Sequence, residues 1–297
     1  MIPRHIRSAP DLVTSSAQTR KGFLIQALRK TDEATPYVKQ AKALWEQLSK
    51  AESIETLLSV GSIRAELVAA AGFSDKATKY FSARDLHGAL AKVLQKIKTT
   101  SGKAWRDNIL YRFLLTKGDS LGGAMRNIVG SAAAVIFTES LLAALEAAGI
   151  LPQVDRSPAN NEKLVAVSWP TRLILFDRKP KIIGKNVDVI LLDSTGHADS
   201  VRSLLARPER YLACGELKGG IDPAGADEHW KTASGALERI RTALAGMNVR
   251  LFFVGAAIED SMAGEIFSQL QSEKLTYAAN LLSEQQLSDL TSWLISI

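Results

Sequence analysis

The chain has 297 residues, 46% hydrophobic and 23% charged, which is the make-up of a globular protein able to bury a core in one large domain or two ordinary ones. No apolar run is expected to span a bilayer, and the N-terminus, MIPRHIRSAPDLVTSSAQTRKG, lacks the continuous apolar stretch of a secretory signal, so a cytoplasmic protein is expected. The single cysteine, Cys214, excludes an intrachain disulfide and a cysteine-based zinc site, while the net charge of +6 and pI near 9.3 suit a polyanionic partner.

Residues 1–20 are polar and read as a loop or arm. From Gly22 to about Lys98 the pattern is helical. Val38, Ala41, Leu44, Trp45 and Leu48 recur at helical spacing, and Ser53 is placed to cap a second helix that starts at Ile54, Leu57 and Leu58. Ile63, Leu67 and Val68 suggest a third helix, ended near Gly72, and Ser82 opens a fourth running through Leu90, Leu94 and Ile97. Between Lys76 and Lys117 there are ten Lys or Arg against Asp85 and Asp107, a basic surface that could follow a phosphate backbone.

Gly118-Asp119-Ser120 reads as a glycine turn capping a long helix rich in small residues, with Arg126 and Asn127 near its start. The Gly118-Asp119-Ser120-Leu121 block resembles that of the GDSL esterases. Two features argue against that reading: the block follows a helical segment, and none of His5, His87, His197 and His229 has an Asp three residues before it. Those histidines are also too scattered for a zinc cluster.

After Gly149 and a polar loop through Asn161, the pattern changes to α/β. Leu164 to Trp169, Arg172 to Phe176, Val187 to Leu192 and Tyr211 to Leu217 read as strands. A helix from Ala226 to Ala245, a strand from Leu251 to Ile258, a helix from Met262 to Leu270, a strand near Leu275 to Ala279 and a closing helix from Glu284 to Leu294 follow. This order predicts an α/β fold with a central mixed sheet flanked by helices, preceded by an N-terminal helical domain.

The chemistry gathers in the second half. Asp188 lies inside an apolar strand, where an unpaired charge is costly, and Glu216-Leu217-Lys218 ends another. Alternation puts Glu216 and Lys218 on one face and Leu217 on the other. If the two strands pair, two carboxylates and an ammonium converge, a set suited to Mg²⁺ and to phosphodiester hydrolysis. Gly219-Gly220 would let the backbone approach a ligand closely. Asp222 and Asp227 are turn and cap residues or DNA contacts, and His229 and Lys231 begin the next helix beside the proposed site.

KGDSLGGAMRN (Lys117 to Asn127) and GELKGGIDPAGADEHWKTA (Gly215 to Ala233), with Asp188 upstream, resemble the AvaI/BsoBI type II restriction endonucleases of the PD-(D/E)XK superfamily. The resemblance implies a helical, DNA-embracing region over residues 1–115 and a restriction-endonuclease-like catalytic domain over 116–297. It also implies a homodimer on double-stranded DNA, and Mg²⁺-dependent cleavage at CYCGRG leaving 5′-phosphates and four-base 5′ overhangs. A matching DNA methyltransferase in the host would complete the system. Asp188, Glu216 and Lys218 match the catalytic triad, with Asp188 and Glu216 as metal ligands, and His229 matches a histidine near the attacking water. Lys117, Arg126, Asn127, Asp222 and Lys231 are the expected DNA contacts. Val187 stands where the wider motif usually has proline. A structure-specific repair or junction nuclease with the same core, and a DNA-binding protein without catalysis, are the alternatives.

Overall fold

The computed structural model describes residues 3–158, 160–196 and 200–297; the side chains of residues 75, 126, 127, 131 and 160–163 lie outside that description. The chain divides into two compact units, one of Met1–Leu24 with Ile128–Ile297 and one of Ile25–Asn127.

The Ile25–Asn127 unit is helical. It contains most of α1 (Ser16–Lys50), α2 (Ile54–Leu58), α3 (Arg64–Ala70), α4 (Asp75–Thr78), α5 (Ala83–Ser101) and the first half of α6 (Trp105–Ala147). Its core gathers Leu44, Leu48, Leu57, Leu67, Leu94, Ile109 and Phe113. Capping follows the sequence: Ser53 accepts from Thr56 N at 3.1 Å, Ser82 accepts from Asp85 N at 3.1 Å, and the helix before Gly72 ends with that residue at φ 82°. Of the five apolar positions expected to mark the first helix, Leu44 and Leu48 are buried, whereas Val38 and Trp45 are exposed.

Among the described residues of the other unit, seven strands form one mixed sheet in sequence order. They are β1 (Gln153–Ser157), β2 (Asn160–Trp169), β3 (Arg172–Arg178), β4 (Val187–Asp193), β5 (Tyr211–Lys218), β6 (Arg250–Gly255) and β7 (Tyr277–Asn280). Strands β1 to β5 are antiparallel, and β5 to β7 are parallel. The parallel connections pass through α8 (Ala226–Ala243) and α9 (Asp260–Gln271); α7 (Val201–Leu204) lies between β4 and β5, and α10 (Glu284–Ser296) closes the chain. One face of the sheet packs Ile190, Leu192, Cys214 and Phe253 against Trp230, Leu237 and Ile266 of α8 and α9. The opposite face packs Val189, Leu191, Phe252 and Val254 against Phe137, Leu141 and Leu145 of α6 and Leu290 and Leu294 of α10. The expected α/β fold with flanking helices is therefore what the chain forms.

Four local expectations are corrected. The Gly118-Asp119-Ser120 block does not cap a helix; it lies within α6, and Ser120 Oγ donates to the Thr116 carbonyl at 3.0 Å. Helical periodicity on both sides outweighs the roughly 1 kcal/mol a glycine costs in a helix interior. Arg126 and Asn127 consequently fall in mid-helix rather than near a helix start.

Residues 1–20 are not simply a loop either. Ile6 and Leu12 are core residues, Ala9–Leu12 form a 3₁₀ turn, and α1 begins at Ser16. Strand β1 was hidden in what read as a polar loop, because an exposed edge strand of sequence QVDRS carries no apolar alternation. Finally, by length and composition α6 does include a stretch apolar enough to cross a membrane. Ala133, Phe137, Leu141 and Leu145 of that helix pack on the sheet, while Val135 and Ile136 on its other side are exposed.

The N-terminal segment is tied in by buried polar bonds. Thr14 Oγ1 donates to Ala256 O at 2.9 Å and accepts from Ile258 N and Asn280 Nδ2, each at 2.9 Å. Thr14→Val strips these partners of their bond and is expected to lower unfolding stability by about 1–3 kcal/mol in urea titration. Thr31→Val, at an exposed position of α1 whose hydroxyl bonds only back to Ala27 O, should change it by less than about 0.5 kcal/mol.

Candidate active site

The paired strands β4 and β5 bring the charged residues together. Val189 is the register partner of Gly215 and Ile190 of Cys214, so one step further Asp188 lies opposite Glu216. Ile190 and Cys214 face α8, and by alternation Asp188, Glu216 and Lys218 share that face, while Leu217 packs into the core of the opposite one. This arrangement is the one the alternation predicted.

Glu216 is only 4% exposed. Lys218 Nζ lies 3.4 Å from its Oε2, and Leu217 N donates to Asp188 Oδ2 at 2.9 Å. Burial pushes the Glu216 carboxyl up to about 7; repulsion from Asp188 adds to this, and Lys218 opposes it. Asp188 is raised as well, by burial first, with a further push from Asp177. Two buried carboxylates with one lysine between them are short of positive charge at neutral pH.

That shortage is the test of whether these residues suit a divalent cation, and they do. Hard cations take carboxylate oxygens, and Mg²⁺ is commonly held by one or two carboxylates, completing its shell with water and phosphate oxygens. Among the described residues no group of three or more His, Cys, Asp or Glu forms a fuller protein cage.

The remaining expected site residues divide. His229, in the first turn of α8, lies against the turn after β5: a Cβ on Gly220 would sit 2.6 Å from its Nε2. Asp222 Oδ1 accepts from Ala224 N at 3.0 Å and so caps the short turn before α8. Lys231 is exposed and paired with Asp227 one helical turn away at 2.6 Å. Lys117 belongs to the helical unit, where its ammonium lies over the rings of Tyr37 and Phe113 at 5.7 and 5.9 Å. The side chains of Arg126 and Asn127, and all of His197, lie outside the described residues.

Comparison with known proteins gives the family. The family model for restriction endonuclease BsobI matches residues 2–297. The chain belongs to the BsobI restriction endonuclease family. Within that family it is 40% identical to a protein from a Nostoc species named type II restriction enzyme AvaI, over 99% of this chain and 98% of the relative. A protein of the same name from Anabaena variabilis matches equally, and type II restriction enzyme BsoBI from Geobacillus stearothermophilus is 38% identical over 99% of this chain and 97% of its own length.

One site residue escaped sequence reasoning. Asp177 of β3 has φ 53°, is hydrogen-bonded by Asn186 Nδ2, and adds negative charge beside Asp188. An aspartate tolerates the left-handed region better than most residues, but its pattern in the sequence is that of any strand end.

The raised carboxyl carries a stability signature. A group that holds its proton more tightly folded than unfolded stabilises the fold while protonated, so its contribution is complete below the ordinary glutamate range and is lost as pH rises toward about 7. Metal-free protein should therefore lose stability between pH 5 and 8 in denaturant titrations. Glu216→Gln should flatten that slope and be the more stable of the two at pH 8. Added Mg²⁺ should stabilise the unsubstituted protein more at pH 8 than at pH 5.

Proposed function

We propose that this protein is a type II restriction endonuclease that hydrolyses both strands of duplex DNA at CYCGRG, using Mg²⁺ held by Asp188 and Glu216. The observation that carries the reading is the Asp188-Glu216-Lys218 cluster at paired strand ends, with Glu216 buried and the other two partly so, in a chain aligned with AvaI along nearly its whole length.

A bound divalent cation would neutralise phosphate oxygens and make water more acidic at neutral pH. Asp188 and Glu216 orient the site through oxygens not taken by Leu217 N and Lys218. The Lys218 ammonium, on the same face, stabilises charge developing on the phosphate or holds the attacking water. His229 Nε2, against Gly220, is available to accept a proton from that water. Water attacks phosphorus in line with the leaving group, the P–O3′ bond breaks, and the 3′ oxygen takes up a proton. The products carry 5′-phosphate and 3′-hydroxyl ends, as four-base 5′ overhangs.

DNA contacts come from Asp222 and Lys231 beside the cluster, and from Lys117, Arg126 and Asn127 on α6. A homodimer matches the twofold symmetry of a palindrome, each subunit cutting one strand. The division into a DNA-embracing region (1–115) and a catalytic domain (116–297), a cytoplasmic location and a companion methyltransferase belong to the same reading.

Incubation of the purified protein with an unmethylated phage genome and Mg²⁺ tests it. Discrete fragments whose ends map to CYCGRG are expected, with Asp188→Ala and Lys218→Ala each slowing cleavage by at least about 100-fold. A smear in place of bands would favour a structure-specific nuclease, and intact DNA with retained binding would leave a DNA-binding protein without catalysis.

A further inference from the structure

Strand β5 ends at Lys218, and the two glycines that follow are packed more closely than a side chain would permit, with buried Ile221 after them. A Cβ on Gly219 would lie 2.4 Å from the Val129 carbonyl oxygen and 2.9 Å from Ala133 Cβ, both on α6. Ile221, 3% exposed, is covered by the backbone of α1 at Gly22, where a Cβ would lie 2.3 Å from Ile221 Cγ1 and 2.9 Å from Cδ1. Between them Gly220 meets His229 of α8. None of these glycines has the positive φ that would demand glycine for its own backbone. What they provide is room for close contact.

The carbonyl of Lys218 joins the same arrangement. It accepts from Ala256 N at 2.8 Å, and Ala256 O accepts from Thr14 Oγ1 at 2.9 Å, two residues before α1 begins. Three helices and the N-terminal segment thus meet on the turn that follows Lys218. The lysine itself is held loosely: 3.4 Å to Glu216 is longer than the roughly 2.8 Å of a well-formed charged hydrogen bond. Its direction must come mainly from its backbone.

The geometry points to Gly22, Gly219 and Ile221 as positioning residues for strand cleavage: the seating of α1 on Ile221 and of α6 on Gly219 sets the turn after β5, and with it the reach of the Lys218 ammonium. This rests on the nuclease reading above. None of the three residues touches the reacting phosphate. They act through Lys218, so their loss lowers the rate of the bond-breaking step and leaves DNA affinity in place.

The test is Gly22→Ala: alanine favours the helix it joins, which offsets part of the cost of forcing its Cβ onto Ile221. Ile221→Ala removes the two carbons it would strike, which makes the double variant a rescue. A duplex carrying the mapped cleavage site is cut in single turnover at saturating enzyme, and its Kd is measured with Ca²⁺ in place of Mg²⁺. Gly22→Ala is expected to slow cleavage about 10- to 100-fold, the scale of a sub-ångström to 1 Å misplacement, with Kd within about threefold; the overpacked contact with Ile221 lowers Tm, so cleavage is measured well below it. Gly22→Ala/Ile221→Ala should recover most of the lost rate. Gly219→Ala should be at least as slow and should resist side-chain rescue, because it meets a backbone carbonyl.

An unchanged rate in Gly22→Ala would overturn the inference, as would a Kd that weakens in step with the rate, or a double variant no faster than the single. An unsubstituted protein that cuts no DNA would instead refute the nuclease reading and take this inference with it.

Discussion

Two carboxylates held side by side at the end of a β ladder are the constraint to which the sheet-containing unit is fitted. Strand pairing places Asp188 against Glu216 whatever their charges prefer, since the register is determined by the apolar residues behind them: Val189 and Leu191 on one face, Ile190 and Leu192 on the other. A sheet that buries those leucines and valines on both sides cannot slip to separate the acids. Burial first, and for Glu216 repulsion from Asp188 after it, raises both carboxyl groups, Glu216 to about 7. Leu217 N and Lys218 offset part of it; a cation and a phosphate are the natural complement to the rest.

The position of this pair in the sheet follows from topology. β5 is the strand at which the antiparallel half meets the parallel half, so it has an antiparallel neighbour on one side and a helix-connected parallel neighbour on the other. Its carboxyl end therefore stands where α8 begins, and the loop between them, only seven residues from Gly219 to Gly225, carries Gly220 against His229. The N-terminal segment reaches the same end through Thr14, Ala256 and the Lys218 carbonyl, and Asn280 and Gln286 fasten it from β7 and α10. Segments far apart in the chain thus share the work of holding three residues.

Much of the sheet-containing unit was legible because its strands are buried on both faces. Near-continuous apolar runs, interrupted by Asp188 and ended by Glu216 and Lys218, are conspicuous, and the alternation rule alone placed Leu217 opposite its neighbours. Capping serines were legible for a local reason: Ser53 and Ser82 bond to amides three residues away. Where the decisive contact is distant, the reading failed. Residues 1–20 look like a polar arm until Ile6, Leu12 and Thr14 are seen in the core. Asp119 and Ser120 look like caps until the turns on either side prove continuous, and β1 shows itself only through its partner strand.

What the sequence by itself determined was the type of each apolar element and the identity of the charged residues that interrupt them, because both depend on spacing within a few residues. The resemblance to a known family added roles for those residues. Tertiary structure alone decided that Asp188 and Glu216 are brought together and buried far enough to raise both carboxyl groups, that Asp177 adds negative charge beside Asp188, and that Gly22 is the surface on which Ile221 rests. These are contacts between residues tens to hundreds of positions apart, and no local periodicity encodes them. They exist only once burial of the two core faces has brought β4, β5 and α1 to one place.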